Sequence, residues 1–200
     1  MHGCIHACTF CSTRYVHGLG FRTRPVDHVI AKTSLSLYLS EQGGRGRLSV
    51  PAGAVCGLSI FGKGESPIGI ASSPTQPGYL EFTVQKAGVV TSALHEMEVG
   101  AVMGIRGPLG NSWPIDYLAG KNIVIVGGGF AFTTLRSLIN YMIDDKNRAR
   151  FGKITVIYGA RNPGLLIYKD ELAAWAKRDD INLNVTVDKG DADTSSPRWR

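Results

Sequence analysis

Apolar and polar residues alternate in short runs over the first half of the chain, at 34–39, 55–61, 68–72, 79–86 and 101–106. Glycine and proline separate these runs at close spacing, which predicts antiparallel strands folded into a sheet or small barrel. One helical stretch interrupts them at 90–96, where Thr91 or Ser92 is placed to cap its start. Beyond residues 111–120 the pattern lengthens. An apolar strand at 121–126 runs into Gly127, Gly128 and Gly129, and residues 133–143 then place Leu135, Leu138, Ile139, Met142 and Ile143 on one helical face. A strand at 153–158, a turn at Asn162, Pro163 and Gly164, a helix at 169–177 and a strand at 182–187 follow. That order predicts a parallel sheet with covering helices.

Composition adds limits to this picture. A chain of 200 residues that is 44% hydrophobic can bury one good core, or two small domains that share an interface. No run approaches the roughly 20 apolar residues that a bilayer span requires, so no membrane span is expected. The first residues lack the pattern of a secretory signal, and the cytoplasm is the expected compartment. A formal charge of +6 would suit nucleic acid or an acidic partner. The cations are scattered, however, with Arg22, Arg45, Arg106, Arg136 and Arg161 in unrelated segments, so nucleic-acid binding is not expected.

Candidate chemistry sits in three places. At the start, Cys4, Cys8 and Cys11 follow the spacing CxxxCxxC, which favours a metal or cluster over a disulfide. Three thiolates so spaced can hold three irons of a 4Fe-4S cluster and leave the fourth open. His2, His6 and His17 are either auxiliary zinc ligands or solvated side chains. Cys56, alone in an apolar run, reads as a packed core thiol.

The second place is IVIVGGGFAFTTLRSL, a strand that runs through glycines into a helix. Glycines let a backbone approach a pyrophosphate, and a helix N-terminus offers N–H donors and a positive dipole end. The spacing is not that of the GxGxxG fingerprint, so the glycines read either as a nucleotide loop or as tight strand–helix packing. The third place is YGAR, which leaves Arg161 at the carboxyl edge of the sheet, either to meet a ribose or its phosphate or to stand as a solvated loop cation.

PIGIASSPT, followed by GYLEFTVQKAGVVTSALHEMEVGAVMGIRGPLGN and then GGGFAFTTLRS, resembles the ferredoxin-NADP reductase superfamily over about residues 32–190. Within it the likeness is to the gamma or electron-transfer subunits of sulfhydrogenases and to the related subunit of anaerobic sulfite reductases. The resemblance implies an antiparallel flavin-binding barrel at 32–116, then a Rossmann-like parallel-sheet nucleotide domain at 117–190. A cysteine-rich segment at 1–31 and a disordered tail at 191–200 would flank them.

It further implies FAD along Ile68, Gly69, Ile70 and Ser72, with the flavin pyrophosphate at Gly88, Val90, Thr91 and Ser92. NAD or NADP would lie at Gly127, Gly128 and Gly129, with Arg161 and Asp170 on the nucleotide edge. Gly107, Pro108 and Gly110 would shape the turn that closes the barrel. The implied function is electron transfer between NAD(P)H and flavin, with iron–sulfur-containing hydrogenase-like or reductase-like subunits as partners and the cofactors carrying the chemistry.

Ile68 and Gly69 stand where many relatives carry an aromatic and a hydroxyl residue. Ala131 stands where they carry a second glycine, and an alanine in a left-handed conformation there would cost about 1 kcal/mol. Relatives continue past Asp188 with further strands and cysteines for a 2Fe-2S cluster, so a partial enzyme is expected. The second reading is a non-catalytic scaffold that keeps the fold without its cofactors. Residues 1–30 resemble the cluster motif of cobalamin-type radical SAM proteins, yet the spacing to the next domain leaves no room for the barrel such chemistry needs. The segment therefore reads either as a remnant or as a metal site.

Overall fold

The computed structural model describes residues 21–22, 34–39, 50–76, 79–98, 101 and 103–189. Cys4, Cys8, Cys11, His2, His6, His17 and the tail from residue 190 lie outside the described residues.

The first half contains β1 (Phe21–Arg22), β2 (Ser34–Leu39), β3 (Val55–Ile60), β4 (Gly64–Gly69), β5 (Leu80–Gln85), the helix α1 (Val89–Glu96) and β6 (Gly104–Leu109). These strands form two antiparallel sheets, ordered β1-β2-β5 and β4-β3-β6, joined by a bridge between Ile70 and Phe82 into a barrel-like body. Its core gathers Cys56, Leu58, Ile70, Phe82, Val84 and Leu94. Burial raises the Cys56 thiol pKa to about 11, as fits a packed core cysteine. Phe21 and Arg22 pair with Leu39 and Tyr38, so strand pairing begins upstream of residue 32.

β4 falls earlier than the run expected at 68–72. Gly62 and Gly64 take positive φ of 75° and 107°, and this turn fixes β4 against β3 with Gly69 opposite Val55. Pro67 is tolerated because β4 lies at the edge of its sheet. Ile70 to Ser73 then leave the strand but remain buried between the two halves.

The second half contains α2 (Ile115–Leu118), β7 (Ile123–Gly128), α3 (Phe132–Ile143), β8 (Ile154–Ala160), α4 (Lys169–Trp175) and β9 (Ile181–Val187). The strands are parallel in the order β7-β8-β9, with Ile125 beside Val156 and Val156 beside Leu183. Strict alternation along β7 and β8 turns Ile123, Ile125, Ile154, Val156 and Tyr158 toward α3 and α4, where a second core forms with Phe132, Ile139, Met142, Leu172 and Trp175. On the opposite face Val124 and Val126 are 65% and 68% exposed. Trp113 joins the halves: its backbone N–H donates to Ala52 O at 2.9 Å, and its ring covers Gly53 where a Cβ would otherwise stand.

Candidate functional site

The three glycines that end β7 and lead toward α3 have different jobs. A Cβ on Gly127 would meet Leu135 Cδ1 at 2.6 Å and Phe132 Cδ2 at 2.8 Å, so this glycine lets α3 pack onto the strand. Gly128 and Gly129 have no heavy atom within 4 Å of the place where a Cβ would be, and Gly129 takes φ +54°. The loop is therefore open at its second and third glycines, in front of the N-terminus of a twelve-residue helix. Tight strand–helix packing thus accounts for Gly127 and leaves Gly128 and Gly129 without a packing role. Ala131 has φ −62° and ψ −15°, an ordinary helical conformation, so the strain expected at that position does not arise.

Tyr158 supports this loop from below. Its ring stacks on Phe132 with centroids 3.9 Å apart, and its hydroxyl donates to Gly129 O at 3.3 Å while accepting the Ile167 N–H at 3.2 Å. Sequence reading missed this role, though a tyrosine at an inward position near the carboxyl end of a strand was its signal. Arg161 follows β8 directly and is exposed, and Asp170 is exposed in the first turn of α4.

The second helix mouth belongs to α1. The cap is Gly88 rather than Thr91 or Ser92, in extended backbone with open space beside it. Thr91 instead reaches back, its Oγ1 accepting the N–H groups of Gly88 at 2.8 Å and Ala87 at 3.0 Å. The first helical hydrogen bond is Ser92 N–H to Gly88 O, so the N–H groups of Val89, Val90 and Thr91 are not consumed by the helical ladder. Of the residues expected along a flavin, Ile68 and Gly69 are half-buried and Ile70 belongs to the core. Ser72 is also buried, with Oγ accepting Glu81 N–H at 3.0 Å and its carbonyl accepting from Ser137. The side chains of Ile68, Ile70 and Ser72 thus serve the fold, Ile68 packing against the barrel core on the Cys56 side of β4, which leaves Gly69 on the opposite face of the strand.

A polar latch holds the two halves together. Arg136, on α3, donates through Nη1 to Glu81 Oε2 at 2.7 Å and to Ala71 O at 3.1 Å, and through Nε to Glu171. Its guanidinium lies 4.5 Å from the centre of the Tyr168 ring. Burial alone would lower the Arg136 pKa, but Glu171 and Glu81 outweigh it and hold the pKa above its ordinary value. Tyr168 takes a left-handed conformation, φ 56°, unusual for a residue with a side chain, and its hydroxyl meets Thr83 Oγ1 at 2.5 Å. Ser137 Oγ donates to Ser72 O at 2.7 Å. Arg136 was read as one scattered cation. The available signal was its spacing from Phe132 and Ile139, which puts it on the buried stripe of α3.

A barrel-like antiparallel body, followed by a parallel sheet with an open glycine loop, is the layout of two-domain reductases that hold a flavin and a nicotinamide nucleotide. Residues 30–113 match the oxidoreductase FAD-binding domain and residues 125–199 the oxidoreductase NAD-binding domain. The chain belongs to the family that joins these two domains, the ferredoxin-NADP reductase type. Sulfhydrogenase 1 subunit gamma of Pyrococcus furiosus is 35% identical over 145 residues, which is 71% of this chain and 47% of that protein. Sulfhydrogenase 2 subunit gamma of the same organism is 35% identical over 131 residues, 65% of this chain and 44% of that protein. The chain spans about half the length of these curated relatives. Among solved structures, a ferredoxin NADP+ reductase from Neisseria gonorrhoeae with bound FAD and NADP superposes with a TM-score of 0.67 at 18% identity. The superposition covers 84% of this chain and 67% of that one, and it shows the shared fold.

Proposed function

We propose that this chain is a flavin-dependent NAD(P)H oxidoreductase module that moves reducing equivalents between a nicotinamide nucleotide and FAD, then to an iron–sulfur-containing partner subunit. The observation that carries the reading is the open loop at Gly128 and Gly129, set before α3 on a nucleotide sheet that Arg136 latches to the barrel. The residues fit both groups. Gly128, Gly129 and the N-terminus of α3 leave room and positive potential for a pyrophosphate. Gly88 and the N–H groups at the mouth of α1 do the same for the flavin pyrophosphate, with the ring along the backbone at Gly69, on the face of β4 away from the barrel core. Arg161, at the end of β8, and Asp170 stand at the nucleotide edge.

When bound, the nicotinamide supplies a hydride and the flavin accepts it and releases single electrons. The chain's own residues bind and orient. Tyr158 holds the loop through Gly129 O, and Arg136 and Ser137 hold the backbone of Ala71 and Ser72 against α3. An iron–sulfur partner is supported by the likeness to sulfhydrogenase gamma subunits, which are parts of larger assemblies by name. A 4Fe-4S cluster at Cys4, Cys8 and Cys11 is a separate proposal that rests on their spacing. No helix among the described residues is long and apolar enough to cross a membrane, and the cytoplasm is the proposed compartment.

The test is the visible absorption spectrum of the anaerobically purified protein, before and after NADH or NADPH. A two-banded flavin spectrum that bleaches with reduced nucleotide is the expected result, and a broad iron–sulfur shoulder would report metallated cysteines. A folded, colourless protein that takes up no added FAD would overturn the reading in favour of a scaffold.

A further inference from the structure

Gly69 ends an edge strand and has no left-handed φ, so its backbone does not require glycine. What requires it is a side chain from the other half of the molecule. A Cβ at position 69 would fall on Thr134 Cγ2, well inside contact distance. Thr134 is held in that pose, because its Oγ1 donates to Ala131 O at 3.1 Å and a β-branched side chain has few rotamers. The hydroxyl thus faces its own helix and the methyl faces Gly69.

Two further contacts continue in the same direction. Arg136 bonds to Ala71 O at 3.1 Å and Ser137 to Ser72 O at 2.7 Å, so α3 lies along residues 69–72 in step. Hydrogen bonds stretch by a few tenths of an ångström at modest cost, whereas a methyl pressed onto a backbone is a hard stop.

We infer that Thr134 is a positioning residue for hydride transfer: its methyl, seated on Gly69, sets how closely the glycine-loop helix approaches the flavin-facing strand. The inference rests on the function proposed above. In that reaction one hydride, two electrons with one proton, leaves the dihydronicotinamide, which is oxidised to the nicotinamide cation. It joins the oxidised flavin, which becomes the reduced anion. The transfer needs reacting atoms about 3–3.5 Å apart, and a misplacement of about 1 Å costs on the order of a hundredfold in rate. Gly128 and Gly129 lead into α3 and Gly69 ends β4, so the contact between Thr134 and Gly69 acts on that distance.

The test compares Thr134→Ser, Thr134→Val, Gly69→Ala and the double variant Gly69→Ala/Thr134→Ser with the parent chain, each loaded with FAD. Two readouts are taken: anaerobic stopped-flow reduction over an NADH series, and the thermal unfolding midpoint without nucleotide. Thr134→Ser removes the methyl and is expected to lower the limiting rate about tenfold, with the apparent Kd for NADH within about twofold of the parent. Thr134→Val, the conservative variant that keeps the methyl, is expected to restore the parent rate. Gly69→Ala is expected to lower both midpoint and rate, and adding Thr134→Ser is expected to recover both, since the double variant only moves a methyl across the contact. A Thr134→Ser chain as fast as the parent beside a slow Thr134→Val chain would overturn the inference, because the bond to Ala131, which serine keeps and valine loses, would then be what matters. So would a double variant worse than either single one. A parent chain that binds no FAD defeats the proposed function instead, and the midpoints still report whether positions 69 and 134 touch.

Discussion

Replacing Arg136 with methionine removes a guanidinium whose side chain is 10% exposed and leaves Glu81, 3% exposed, as a buried carboxylate without its cation. Breaking a buried ion pair from one side costs about 3–5 kcal/mol, because the surviving charge keeps its desolvation penalty and loses its attraction. For a chain of this size that is a fall of about 10 °C in Tm. Glu171 loses a partner as well but keeps the Asn140 Nδ2 donor at 2.7 Å and some access to water, so most of the cost belongs to Glu81. Adding Glu81→Gln to Arg136→Met removes the stranded charge and should recover about 2 kcal/mol. The assay is thermal and urea unfolding of the parent, both single variants and the double, followed by far-UV circular dichroism. An Arg136→Met chain within about 1 kcal/mol of the parent, the range typical of exposed ion pairs, would refute the reasoning. A double variant no more stable than Arg136→Met would refute it too.

The three glycines of the loop should separate by assay. Gly127→Ala is expected to lose about 1–3 kcal/mol of stability through overpacking against Leu135 and Phe132. Gly128→Ala should stay within about 0.5 kcal/mol in stability while weakening NAD(H) binding in calorimetric titration. Gly129→Ala, at φ +54°, should lose about 1 kcal/mol and binding together. Tyr158→Phe removes the donor to Gly129 O and the acceptor for Ile167 N–H, for a loss of about 1–2 kcal/mol, with a raised KM for NADH in steady-state kinetics. In alkali, the unfolded chain releases the Cys56 proton near pH 9 while the folded chain holds it to about pH 11, so stability should fall between those values by about 2 kcal/mol. Burial also raises the pKa of Tyr158 and Tyr168, so these add to the fall above pH 10. A Cys56→Val chain should show a shallower decline between pH 9 and 11 in urea titrations.

Where local pattern and tertiary context agreed, the sequence sufficed. The run at 34–39 became β2, and the helical stripe from 133 became α3 one residue earlier. The β7 alternation and its glycines were legible because strand, loop and helix are neighbours along the chain. β4 was misplaced because the hairpin register set by Gly62 and Gly64 overrides the apolarity of Ile68 to Ile70. The latch was not legible at all, since Arg136 meets partners 55 residues before it and 35 after it. The interplay of Gly69 with Thr134 was equally hidden, because the two residues lie on different halves of the chain and meet only in space.

The two cores, one around Phe82 and the other around Phe132, are separate clusters and would by themselves melt as separate bodies. Arg136, Ser137, Tyr168 and Trp113 each carry a bond across their boundary, so opening either half breaks buried polar contacts of the other. Cooperativity is thereby written into a handful of polar atoms rather than into a shared hydrophobic centre. The exposed turn at Gly110, Asn111 and Ser112 is the natural place for a protease to cut between the halves. A chain nicked there should run as two fragments in denaturing gel electrophoresis and as one particle in size-exclusion chromatography, still unfolding in a single transition.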